Sequence, residues 1–153
     1  EYMTCSGPDA CGVLMLLDID NFKLINDNKG HLVGDQALQD IAQILRNMFR
    51  QKDIVGRLGG DEFLVFIKDA IDKDTLCQRL NKLQERLDAS TDFSLASSIG
   101  VTFIRAEDFQ YKKSLGEADA ALYHGKESGK HRFFFFEDLA DSPSESESVI
   151  HSV

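Results

Sequence analysis

The stretch RLGGDEFLVF, Arg57 to Phe66, sets two glycines and two acids inside what otherwise reads as extended chain. Apolar residues on either side predict two short strands, Asp53 to Leu58 and Phe63 to Ile67. Gly59 and Gly60 accept the positive φ that a tight turn requires. The strands are therefore predicted to form an antiparallel hairpin with Asp61 and Glu62 at its tip. Such a tip is either a solvated turn or a place where carboxylates gather around a cation, and the stretch alone leaves both open.

Outward from the hairpin, Val13 to Asp18 is an apolar run that ends in acids and predicts a buried strand. Leu38, Ile41, Ala42, Leu45, Met48 and Phe49 mark one stripe of a helix beginning near His31. Leu76, Leu80, Leu83 and Leu87 mark a second long helix. Phe93, Leu95, Ser97, Ile99, Val101 and Phe103 alternate as a strand with one buried face does. Ser114 and Glu117 have the spacing of a capping box opening a third helix, which Gly129 would end. RFFFF, Arg132 to Phe136, reads as a last strand. The order is strand, helices, hairpin, helix, strand, helix, strand. It predicts an α+β fold with a central, mainly antiparallel five-stranded sheet flanked by helices.

Of the 153 residues 42% are hydrophobic and 28% charged, ordinary for one globular domain. The formal net charge is −9, and the segment from Glu137 to Val153 holds five acids without a Lys or Arg. The body is thus only mildly acidic, which argues against a nucleic-acid-coating surface. Residues 1–11 read as a linker or the remnant of an upstream region, 12–136 as the domain, and 137–153 as a disordered acidic tail. The longest apolar run, Gly12 to Leu17, is too short to span a bilayer, and no signal-peptide pattern is present. Cys5, Cys11 and Cys77 are odd in number and have no metal spacing, which points to a reducing, intracellular setting.

Two acidic clusters stand out: Asp18 and Asp20 at the end of the first strand, and Asp61 and Glu62 on the hairpin. If those strands share a sheet, the carboxylates converge and repel, and a hard divalent cation would relieve that repulsion. Other site patterns fail. An EF-hand starting at Asp18 has Lys23 and Lys29 where Gly and Glu are needed. GKESGKH, Gly125 to His131, is one residue short of a phosphate-binding P-loop and follows a helix instead of preceding one. The four histidines have no zinc spacing, and HExxH and GxSxG do not occur.

Four ordered blocks carry a resemblance. They are GGDEF itself (Gly59 to Phe63), DIDNFKLINDNKGHLVGD (Asp18 to Asp35), SIGV (Ser98 to Val101) and ADAALYHGKESGKHRF (Ala118 to Phe133). Together they closely resemble the GGDEF family of diguanylate cyclases over residues 12–136 or so. The resemblance implies a nucleotidyl-cyclase or polymerase-palm-like fold. It also implies a reaction in which two GTP condense to cyclic di-GMP with release of two pyrophosphates, at the interface of a homodimer. Asp18, Asp61 and the carbonyl of Ile19 match the family's ligands for Mg²⁺ or Mn²⁺, and Glu62 matches a second-metal ligand or base. Lys23 is carried over with Asp61 and Glu62 among the catalytic residues.

Phe22 and Lys23 match the loop around the terminal phosphates, and Lys126 and Lys130 match the cations that clamp them. The family usually has Arg at position 130; Lys keeps the charge and loses the bidentate fork. Asn26 and Asp35 match the residues that read guanine, Asp35 favouring GTP over ATP. Gly59 and Gly60 would leave room for the nucleotide. Arg50 and Asp53, in an RxxD at the family's spacing, resemble the site where product binds and inhibits. The resemblance further implies an upstream sensor or receiver domain outside this chain, no nucleic-acid partner, and a cytoplasmic location with a parent that is soluble or membrane-anchored. The alternative is a non-catalytic GGDEF module that binds GTP or cyclic di-GMP as a regulator.

Overall fold

The computed structural model describes residues 10–69, 71–89, 96–105, 109–129 and 132–139. The apolar run forms β1 (Ala10–Ile19), which lies between two antiparallel neighbours, β3 (Glu62–Ile67) and β4 (Ser97–Arg105). Both faces of β1 are covered, so Val13 to Leu17 are at most 2% exposed. That is why the run is continuously apolar where a half-solvated strand would alternate.

β2 (Ile54–Gly59) pairs antiparallel with β3, as the hairpin reading predicted. β5 (Phe133–Phe135) adds to β4 in parallel, giving the order β2-β3-β1-β4-β5. The sheet is mixed but mainly antiparallel.

Alternation along β1 divides the interior in two. Val13, Met15, Leu17 and Ile19 belong to the main core with α2 (His31–Met48) and α3 (Lys73–Asp88). The four leucines predicted on α3 are all 0% exposed, each contributing about 1.5–3 kcal/mol of burial. Asp72 caps α3 by accepting from the Thr75 amide at 2.7 Å. Leu16 lies on the opposite face, against Ala118 and Leu122 of α4 (Tyr111–Glu127). Gly100 sets the closeness of that approach: a Cβ there would stand 2.1 Å from the Ala118 carbonyl oxygen.

Two local readings are corrected. Ser114 does not cap α4, which opens three residues earlier after Gln110; Ser114 is buried and its amide bonds the Gln110 carbonyl. The Glu117 side chain accepts instead from the Thr102 hydroxyl at 2.7 Å. Phe136 is not strand, because the chain turns there into a short helix, α5 (Phe136–Leu139). Lys73 ties α5 down through Glu137 at 2.9 Å and Asp138 at 2.8 Å, so folded structure continues past Phe136. The helices expected after β1 divide at Gly30 into α1 (Phe22–Lys29) and α2. Phe93 and Leu95, predicted at the start of β4, lie outside the described residues.

Candidate active site

The register of the sheet brings the two acidic clusters together. Asp18 pairs across β1–β3 with Glu62 and across β1–β4 with Ser98. The Ile19 amide donates to the Asp61 carbonyl at 3.4 Å, fastening the hairpin tip to the end of β1. The turn itself is Gly60-Asp61, with Gly60 at φ 51, a conformation costly for a residue with a Cβ. The Arg57 Nε closes it by donating to the Gly60 carbonyl at 2.9 Å. A Cβ at Gly59 or Gly60 would meet nothing within 4 Å, so the tip has open space above it.

Asp18 is strained electrostatically. Its side chain is 15% exposed, and its Oδ1 is buried with no hydrogen-bond partner. Burial first, and then the neighbouring Asp61 carboxyl with which it can share a proton, push its pKa up to about 7, against the pull of Lys126. Glu62 is also raised, by burial and by the charges of Asp119 and Asp61. Lys126, in the last turn of α4, offsets part of this repulsion. Its Nζ lies 3.2 Å from Asp18 Oδ2 and 3.4 Å from Asp20 Oδ1.

Among the described residues no three His, Cys, Asp or Glu side chains converge as a ready-made ligand set. The donor chemistry nevertheless fits a divalent cation. An orphaned, buried carboxylate oxygen beside a second carboxyl is what a hard Mg²⁺ or Mn²⁺ ion would satisfy.

Around this edge the other expected residues fall as follows. Asn21, in the left-handed region at φ 58, turns the chain from β1 into α1 without a side-chain cap. The first amides of a helix have no intrahelical partner and suit an anion. Lys23 is exposed there, whereas Phe22 is half-buried and packs against the main core. Asn26 lies against Gly34 of α2, where a Cβ would stand 1.8 Å from Asn26 Oδ1. The glycine of the GHLVGD segment therefore lets the Asn26 carboxamide sit between the helices. Asp35 follows, exposed, and lines a cavity of about 570 Å³ with Leu38, Arg46, Arg57 and Phe63. Lys130 lies outside the described residues.

Arg50 and Asp53 lie in the connection between α2 and β2, at the end of the hairpin away from its tip. Asp53 is 7% exposed and accepts from the amides of Arg50 at 3.1 Å and Lys68 at 3.2 Å. Its carboxylate thus holds the turn together. The Arg50 guanidinium is exposed and meets Asp69 at 3.1 Å, beside Lys52. Arg46, Phe49, Arg50 and Asp53 line a cavity of about 440 Å³.

Sequence reasoning places Asp20 with Asp18 in the first acidic cluster without a role of its own, and gives Ser98 none. The signal was there in part: Asp18 and Asp20 are two apart on a strand end and so share a face. What brings Ser98 to them is the pairing of β4, which periodicity does not reveal.

The family profile described as "Diguanylate cyclase, GGDEF domain" matches residues 2–132. Diguanylate cyclase DgcZ of Escherichia coli K12 is 34% identical over 130 residues, 82% of this chain and 44% of that protein. Diguanylate cyclase DosC of the same strain is 33% identical over 125 residues, 78% of this chain and 27% of that protein. The chain spans less than half the length of either. The GGDEF domain of DgcB from Caulobacter crescentus, solved in complex with c-di-GMP, superposes with a TM-score of 0.73 at 27% identity, covering 84% of this chain and 79% of that one. No described helix is long and apolar enough to cross a membrane.

Proposed function

We propose, from the premise that the chain belongs to the GGDEF domain family of diguanylate cyclases, that it is a catalytic domain condensing two GTP into cyclic di-GMP. The observation that carries this reading is the half-buried Asp18 carboxylate, whose Oδ1 is buried without a hydrogen-bond partner beside the Asp61 carboxyl. A solvated acidic turn needs no such arrangement, and carboxylates made costly in this way mark functional sites.

In this reading each domain binds one GTP. Asn26 and Asp35 accept from the guanine N1–H and N2–H₂ donors. The first turn of α1, with Phe22 and Lys23, and Lys126 with Lys130 enclose the phosphates. Asp18, Asp61 and the Ile19 carbonyl would hold Mg²⁺ or Mn²⁺, with Glu62 as a ligand of a second ion or as base. The metal supplies polarisation of the attacking hydroxyl and charge neutralisation on the pyrophosphate. Gly59 and Gly60 leave the nucleotide room beside these acids. The 3′-hydroxyl of one GTP attacks the α-phosphate of the other, its proton passes to a carboxylate, and pyrophosphate leaves. Repetition in the facing domain closes the ring, so a homodimer is required.

Product binding at Arg50 and Asp53 belongs to the same proposal. The cavity beside Arg50 supports it, with the guanidinium gripping ligand and Asp53 fixing the turn that presents it. A regulatory domain upstream of this one, and a cytoplasmic site of action where GTP is available, complete the proposal. The test is incubation with GTP and Mg²⁺ at concentrations that drive dimerisation, with product identified by chromatography and mass. Cyclic di-GMP that vanishes in Asp61→Ala is expected. GTP binding without product, in a forced dimer kept free of product, would instead establish the regulatory-module alternative.

A further inference from the structure

Asp20 and Ser98 are buried polar residues at the reactive edge for which the mechanism above has no use. Asp20 is 6% exposed and Ser98 0%. The Ser98 hydroxyl donates to Asp20 Oδ1 at 2.8 Å, and the same oxygen accepts from Lys126 Nζ at 3.4 Å. The Asp20 amide donates to the Ala96 carbonyl at 2.8 Å, which fixes its backbone to the segment leading into β4. Three elements thus meet on one carboxylate: the end of β1, the start of β4 and the end of α4.

A lysine side chain has four rotatable bonds and a strongly hydrated head, so holding it over a ligand has an entropic cost. A buried carboxylate that is itself anchored reduces that cost by ordering the ammonium in advance. Asp18 also touches Lys126, but Asp18 is needed for metal in the proposed mechanism. Asp20 has no such duty and can keep its contact throughout.

We propose that Asp20, oriented by Ser98, is a positioning residue that holds Lys126 toward the phosphates of bound nucleotide. This rests on the reading of Lys126 as a phosphate clamp. It predicts a defect confined to ligands that carry the β- and γ-phosphates.

The test is calorimetric binding of 3′-deoxy-GTP, which lacks the attacking hydroxyl, and of GMP, both with Mg²⁺. Two variants, Ser98→Ala and Asp20→Asn, are each checked by thermal unfolding; the second is isosteric should the first disturb packing. Each is expected to weaken 3′-deoxy-GTP binding about tenfold and leave GMP binding unchanged. Lys126→Ala should weaken 3′-deoxy-GTP binding at least as much, and adding Asp20→Asn to it should cost little more. Equal losses for both ligands, no loss, or additive losses overturn the positioning role while leaving the cyclase reading intact. A wild-type chain that binds neither nucleotide overturns both.

Discussion

Replacing Asp18 by Asn should stabilise the metal-free protein while abolishing its proposed activity. The carboxyl has its pKa raised from its ordinary value of 3.8 to about 7 in the folded state. In the unfolded chain it ionises near the ordinary value. Between those values the folded state binds the extra proton, so stability falls as pH rises through this window. At ~1.36 kcal/mol per unit the full penalty approaches ~4 kcal/mol above pH 7. Asn keeps the size and removes the charge, and the attraction lost to Lys126 is already contained in that figure, because the raised pKa is net of it. A gain of up to about 4 kcal/mol at pH 8 follows, shrinking toward zero near pH 4. Urea unfolding of wild type and Asp18→Asn in chelator, at both pH values, measures it. A variant no more stable than wild type at pH 8, or a gain that does not depend on pH, refutes the reasoning. Mg²⁺ with GTP should then stabilise wild type and not the variant.

Other sites give separate tests. Gly34→Ala should drive the Asn26 carboxamide from its place between α1 and α2 and raise the KM for GTP about tenfold or more, since the added Cβ would lie 1.8 Å from Asn26 Oδ1; steady-state kinetics with unchanged KM would show that the helices yield. Leu80→Ala, at a position 0% exposed on α3, should lower unfolding free energy by about 2–5 kcal/mol without changing GTP affinity per folded molecule. Arg50→Ala should weaken cyclic di-GMP binding about tenfold or more by loss of a charge-assisted contact. Equal product titrations of Arg50→Ala and wild type would remove the inhibitory site from the account.

What the sequence made legible depended on the range of the interaction. The hairpin, the four leucines of α3 and the buried run of β1 follow from local pattern, because alternation, helical spacing and glycine-permitted turns are properties of neighbouring residues. The α4 start was misread because Ser114 and Glu117 have capping-box spacing yet face the sheet, where Thr102 takes the Glu117 carboxylate. The turn at Phe136 is set by tertiary ion pairs from Lys73, sixty-odd residues away. Within the site, Asp61 and Glu62 were conspicuous on the turn, and their approach to Asp18 followed once strand pairing was assumed. The orphaned Oδ1 of Asp18, the closeness of Asn26 to Gly34 and the Ser98–Asp20–Lys126 contacts depend on register and on how closely α4 approaches the sheet. Those distances come from packing that no single stretch encodes.

The central claim is that the acids at the end of β1 and the hairpin tip perform nucleotidyl transfer on GTP. Its most direct measurement is mass-resolved product formation from GTP and Mg²⁺ by the dimerised chain, beside Asp61→Ala. The account predicts cyclic di-GMP and two pyrophosphates per turnover from wild type, and a loss of at least about a hundredfold in the variant, as for removal of a group acting on the transition state. A dimer that binds GTP yet forms no cyclic di-GMP, or an Asp61→Ala chain as active as wild type, would contradict it.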